Sequence, residues 1–218
     1  MKFDLYVVTD ETVSGGRSHV EIARLAVAGG ADVIQLRDKS RSCSDLVSIG
    51  REIGVITRSA GAGFIVNDRL DVALLCGADG VHLGQSDTGC GAARQIAPPG
   101  FVIGVSVGSV TEALNAEVDG ADYVALSPVF DTDSKHNAGP GHGLSLLREI
   151  RAAVRIPVIA IGGIGKENAG DIIDAGGDGI AVISSVVGAP DIREAARTMA
   201  GIVSKRKELR KNTGMVGL

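Results

Sequence analysis

Eight short runs of β-branched and aliphatic residues recur along the chain at near-regular intervals: Leu5–Thr9, Val33–Arg37, Phe64–Asn67, Gly80–Leu83, Val102–Val107, Tyr123–Ser127, Val158–Ile161 and Gly179–Ile183. Most lack a polar alternation, the pattern of strands covered on both faces. Between them apolar residues fall at helical spacing, as in Leu46, Ile49, Ile53 and Ile56, or Leu144, Leu147, Ile150 and Val154. Ser18, Ser109 and Asp191 stand where three helices would take their N-caps, and the last helix is expected from Asp191 to Lys205. Four runs are introduced by nearly the same tripeptide: Gly30-Ala31-Asp32, Gly77-Ala78-Asp79, Gly120-Ala121-Asp122 and Gly176-Gly177-Asp178. A glycine there suits the left-handed end of a helix, followed by a short loop into the next strand. Eight such units predict an α/β chain folded as a single (β/α)8 TIM barrel. A flavodoxin-like open sheet is the alternative, and eight strands are many for it.

Size and composition agree. A 22.2 kDa chain of 218 residues should expose about 9,400 Å² when folded, against about 32,000 Å² extended, enough burial for one core. The domain boundaries expected are a catalytic barrel over 1–206 and a basic C-terminal tail over 207–218. Aromatic residues make up only 3% and glycine contributes 31 positions, so the core must be Val, Ile, Leu and Ala. No apolar run reaches the roughly 18 residues of a membrane span, and Met1–Tyr6 turns acidic too early for a secretory leader. A net charge of −4 argues against a nucleic-acid partner. The one basic cluster, Lys205-Arg206-Lys207 with Arg210 and Lys211, reads as a solvated helix end or tail. Three cysteines without CxxC spacing argue against a disulfide framework or a zinc site and fit a reducing cytoplasm. A homo-oligomer stays open.

A barrel carries its chemistry at the C-terminal ends of its strands. The second run ends Gln35-Leu36-Arg37-Asp38-Lys39. Alternation puts Gln35, Arg37 and Lys39 on one face, an amide and two cations at the mouth, suited to an anionic ligand; otherwise Arg37 and Asp38 form a solvated pair. The third and fourth runs lead into Asn67-Asp68-Arg69 and Gly84-Gln85-Ser86-Asp87. Neighbouring strands would let Asp68 and Asp87 approach, an oxygen site for Mg²⁺; alternatively each is a helix N-cap. Ser106 at the fifth strand end can donate a hydrogen bond. The longest loop, from Ser127 to Gly143, has the length of a lid, and Thr132, Ser134 and Lys135 suit phosphate oxygens. Gly162-Gly163 and Ile183-Ser184 end the last two strands, where barrels bind phosphate through backbone N–H groups. His82 falls inside the fourth strand, in the core or behind the site. His19, His136 and His142 read as helix-start or loop residues.

Five motifs in order resemble thiamine-phosphate synthase: Gln35–Lys39, Val66–Arg69, Gly80–Asp87, Thr132–Lys135 and Ala160–Ile164. The resemblance implies a (β/α)8 barrel that joins hydroxymethylpyrimidine diphosphate to hydroxyethylthiazole phosphate, releasing diphosphate. It implies that Gln35, Leu36, Arg37, Asp38 and Lys39, with Asn67, Ser106 and Lys135, hold the pyrimidine diphosphate. Asp68 and Asp87 would hold Mg²⁺. Thr132, Asp133, Ser134, Gly163, Ile183 and Ser184 would hold the thiazole phosphate. Arg37, Lys39 and Lys135 would act on the leaving diphosphate in a dissociative substitution. The family's loop reads Pro-Thr-x-Thr-Lys; here Asp131 replaces the proline and Ser134 the second threonine, which keeps the hydroxyl and loosens the lid. Two rivals accompany this reading: a thiazole tautomerase on the same fold, which need not keep the diphosphate half, and a non-catalytic binder of phosphorylated ligands.

Overall fold

The computed structural model describes residues 1–132 and 140–214, with side chains through 212. Eight parallel strands close into a barrel in chain order: β1 (Leu5–Val8), β2 (Val33–Leu36), β3 (Gly63–Asn67), β4 (Gly80–Leu83), β5 (Val102–Val107), β6 (Tyr123–Leu126), β7 (Val158–Ile161) and β8 (Gly179–Val182). Each boundary lies within one residue of the sequence expectation. Closure, with β1 paired to β8 through Leu5↔Ile180 and Val7↔Val182, excludes the open-sheet alternative. The helices are α1 (His19–Ala28), α2 (Cys43–Ala60), α3 (Leu70–Cys76), α4 (Cys90–Ile96), α5 (Val110–Val118), α6 (Gly143–Ala153), α7 (Ala169–Asp174), α8 (Ser184–Val187) and α9 (Ile192–Gly214). The accessible surface is 10047 Å², close to the value expected from mass.

Alternation along each strand divides the core in two. Tyr6, Val8, Val33, Ile65, Tyr123, Ala125, Ile159 and Ala181 fill the barrel. Leu5, Val7, Ile34, Leu36, Phe64 and Val66 pack outward beneath the helices. The barrel is filled unevenly: the Tyr123 ring crosses its interior, and a Cβ on Gly104 would lie 2.0 Å from Tyr123 Cζ. Only glycine leaves that space.

The repeated tripeptide does two jobs. Its glycines, Gly30, Gly77, Gly120 and Gly176, all have positive φ, as helix ends require. Its aspartates tie strands in pairs. Asp32 accepts from Leu5 N at 3.0 Å, Asp79 from Phe64 N at 2.8 Å, Asp122 from Ile103 N at 2.7 Å and Asp178 from Val158 N at 2.9 Å. Each aspartate also returns its own N–H to the carbonyl of the same residue. Four two-point clamps thus join β1 to β2, β3 to β4, β5 to β6 and β7 to β8 at the N-terminal rim.

The three expected N-caps hold: Ser18 Oγ accepts from Glu21 N, Ser109 Oγ from Glu112 N and Asp191 Oδ1 from Glu194 N. The last helix corrects the sequence expectation. It continues past Lys205 without a break, across 206 and 207, to Gly214. Lys207 Nζ bonds Asp4 and the Asp178 carbonyl, Arg210 donates to Ile173 O at 3.1 Å, and Arg206 pairs with Asp174 at 3.1 Å. The basic cluster docks the helix on the barrel floor because backbone carbonyls and carboxylates converge there. No helix among the described residues is long and apolar enough to cross a membrane, and all three cysteines are free.

Candidate active site

Two cavities open at the C-terminal ends of the strands. The larger, about 1720 Å³ and open to solvent, is bordered by Arg37, Lys39, Asn67, Asp68, Asp87 and Ser106. The smaller, about 370 Å³, lies between the ends of β6, β7 and β8 and is bordered by Thr132, Gly163, Ile183 and Ser184. Ser127 and Pro128 border both, so the two spaces adjoin. Asp133, Ser134, Lys135 and His136 lie outside the described residues.

In the larger cavity, Arg37 Nη1 pairs with Asp10 Oδ2 at 2.9 Å, both largely buried. Asp10 follows β1, so the cation at the end of β2 is fixed from the neighbouring strand. Lys39 Nζ lies 3.6 Å from Asp68 Oδ2 and is itself exposed. Asp68 stands at φ 61°, in the left-handed region, an uncommon conformation for a non-glycine residue. Its N–H is held by the His82 carbonyl at 2.8 Å, and the Asp87 carboxyl is near enough to perturb its own. Burial first, then the Asp87 carboxylate, push the Asp68 carboxyl above the ordinary aspartate range, against the pull of Lys39. The N-cap alternatives fail for both acids. The N-cap of α3 is Arg69 and that of α4 is Gly89; Asp87 instead accepts from Gly84 N at 2.7 Å inside its loop.

Three members of the expected Gln35–Lys39 stretch do not border the larger cavity; Gln35 is buried and borders a small space inside the barrel with Tyr6 and Asn67. Leu36 is buried in the outer core with Leu46 and Ile53, as alternation demands. Asp38 is the hub of the β2–α2 loop. It accepts from Ser40 N and Oγ, from Arg41 N and Nε, and lies 3.2 Å from His19 Nε2. Burial opposes its charge, but these hydrogen bonds outweigh it and hold the carboxyl well below the usual range. Arg37 and Asp38 therefore form no pair with each other.

Glu11, His19 and Asp38 bring three potential ligand atoms within 4.8 Å. Arg41 already answers their charge, 2.6 Å from Glu11 and 3.1 Å from Asp38.

Sequence reasoning passed over several site residues. Asp10 had a signal, its place directly after the first strand. Glu112 and His142 border the larger cavity, and Glu112 accepts from Gly108 N at 2.7 Å; no local pattern marks them. His82 joins Ser106 to Tyr123, a link visible only in three dimensions.

The sequence model of the family described as thiamine monophosphate synthase matches residues 5–186. The chain belongs to that family. Proteins named thiamine-phosphate synthase from Methanoregula boonei and Methanoculleus marisnigri are 62% and 60% identical, over 95% of this chain and 96% and 98% of theirs. A thiamine phosphate pyrophosphorylase structure from Pyrococcus furiosus superposes with a TM-score of 0.86 at 45% identity, covering 94% of this chain and 96% of that one. Membership in the thiamine monophosphate synthase family makes the chain a transferase of thiamine biosynthesis. The paired acids and cations therefore sit in an enzyme's mouth.

Proposed function

We propose that the chain condenses hydroxymethylpyrimidine diphosphate with hydroxyethylthiazole phosphate to thiamine phosphate and diphosphate. The observation that carries this reading is the Asp68–Asp87 pair beside Lys39 and Arg37, in a cavity adjoining a glycine-walled one. Two adjoining anion-binding sites are what the joining of a diphosphate and a monophosphate requires. The names of the relatives support it. The intact cationic half favours a synthase over the tautomerase.

The donor set at Asp68 and Asp87 fits Mg²⁺. Two neighbouring carboxylates with one exposed lysine beside them leave negative charge uncompensated, and a hard cation takes oxygen ligands. When bound, Mg²⁺ supplies Lewis-acid stabilisation of the departing diphosphate oxygens. Arg37, oriented by Asp10, and Lys39 bind the diphosphate and stabilise the charge that grows on it, with Lys135 as a third cation. Gln35, Asn67 and Ser106 orient the pyrimidine. Thr132, Asp133 and Ser134 hold the thiazole phosphate together with backbone N–H groups near Gly163, Ile183 and Ser184. The diphosphate leaves with its bonding electron pair, giving a pyrimidinylmethyl cation stabilised by the electron-rich ring. The thiazole nitrogen's lone pair forms the new C–N bond. No protein nucleophile is needed; the chain orients the partners and excludes water.

The test is diphosphate release by the purified chain, with either substrate or both, with and without Mg²⁺. Release that requires both substrates and the ion, with thiamine phosphate formed alongside, is expected. Thiazole phosphate binding without release in any mixture would favour the tautomerase or a binding protein.

A further inference from the structure

Five side chains form one hydrogen-bonded line through the barrel. Gln35 Nε2 lies 2.7 Å from Tyr6 Oη, and Tyr6 Oη lies 3.1 Å from Tyr123 Oη. Tyr123 Oη is 3.0 Å from His82 Nδ1, and His82 Nε2 is 2.8 Å from Ser106 Oγ. The line starts on β2 and ends on β5. Ser106 borders the larger cavity and Gln35 a small space inside the barrel, and His82, Arg37 and Asn67 border both; the two tyrosines and His82 are buried.

Donor and acceptor rules give the line a direction. The Gln35 N–H can only donate. Tyr6, receiving it, has one hydrogen to place, and Tyr123 is there to take it. Tyr123 then places its own on His82 Nδ1. Burial pushes both phenols far up, so each keeps that hydrogen. A ring nitrogen that accepts carries no proton, so the proton of the neutral imidazole sits on Nε2 and goes to Ser106 Oγ. Ser106, already accepting, has its own O–H left for a ligand.

We propose that His82 is a positioning residue: oriented by the Tyr6–Tyr123 pair, it makes Ser106 a hydrogen-bond donor to the substrate, while Gln35, its N–H engaged by Tyr6, offers its carboxamide oxygen. The mouth then selects a ring edge with an acceptor opposite Ser106 and a donor opposite Gln35. The ring nitrogen and exocyclic amine of an aminopyrimidine supply both. The identity of that ligand rests on the proposed function; the direction of the line does not.

The experiment therefore has one arm without substrate. The full chain is labelled with ¹⁵N-histidine, and the His82 ring is assigned by its loss in His82→Gln. The long-range ¹H–¹⁵N spectrum of the wild type at neutral pH should show the Nε2–H tautomer. The Nδ1–H tautomer, or an imidazolium, overturns the proposal whether or not the chain makes product. In the second arm, Tyr123→Phe removes the donor that sets the ring. The Nε2–H population should fall. The KM for the pyrimidine diphosphate should rise about tenfold, the scale of one neutral hydrogen bond, with the KM for the thiazole phosphate unchanged. Equal shifts in both constants, as from a general loss of structure, would also overturn it. If Tyr123→Phe fails to fold, the wild-type tautomer alone decides.

Discussion

Asp68 joins an unfavourable environment to a proposed role. Its carboxyl is raised above the ordinary range by burial and by Asp87, so the folded chain holds that proton more tightly than the unfolded chain does. The contribution to stability is present below the unfolded pKa and is lost as pH rises through the folded one. At neutral pH the ion-free site is under like-charge strain, which a divalent cation bound there would relieve. Thermal melts should therefore show a larger Mg²⁺-dependent rise at neutral pH than in mild acid. Asp68→Asn should melt no lower than the ion-free wild type, lose the Mg²⁺ response, and turn over roughly a hundredfold more slowly; an unchanged Mg²⁺ response would dissociate this acid from the ion. Gly104 is constrained by volume instead. Gly104→Ala should cost about 3 kcal/mol or more, since the new methyl would overlap the Tyr123 ring. Urea unfolding checks it, and Gly104→Ala with Tyr123→Leu should recover part of the loss. At this scale the strand ends were legible, because position in a barrel assigns them a face: Arg37, Lys39, Asn67, Asp68, Asp87 and Ser106 do border one cavity. Leu36 and Asp38 were carried along by their motif, although alternation already sent Leu36 the other way.

The strands were legible because a barrel strand covered on both faces is a bare aliphatic run with few alternatives. The helix starts at Ser18, Ser109 and Asp191 were legible because capping is local. What could not be read were remote side-chain partners away from the strand ends. The repeated aspartates looked like loop residues; their carboxylates turn out to hold the first or second N–H of the preceding strand. Asp79→Ala and Asp122→Ala should each cost about 1–3 kcal/mol, the range for a hydrogen bond to a charged group. Urea midpoints should fall while KM values stay put, since the clamps lie at the rim opposite the mouth. A selective change in KM would contradict that separation.

Across the whole molecule, α9 returns the chain's end to its beginning. Lys207 bonds Asp4, and burial opposes the Asp4 charge while Lys207 and Lys2 outweigh it, so the carboxyl is held below its ordinary value. Stability from Asp4 is therefore present above the unfolded pKa and lost as pH falls through the folded one. Lys207→Met should destabilise by about 1–3 kcal/mol at neutral pH and flatten the acid limb of the stability curve. A midpoint unchanged at both pH values would leave the basic cluster as surface charge. The length of α9 escaped the sequence reading because its polar stretch resembles a solvated end unless the floor it meets is known. The aspartate clamps, finally, divide labour between the two rims. One rim ties the strands in pairs through four near-identical joints, and the other presents loops that contribute nothing to those joints. Such a scaffold is modular: its mouth can be rewritten, by drift or by design, into new specificities without renegotiating the closure beneath it.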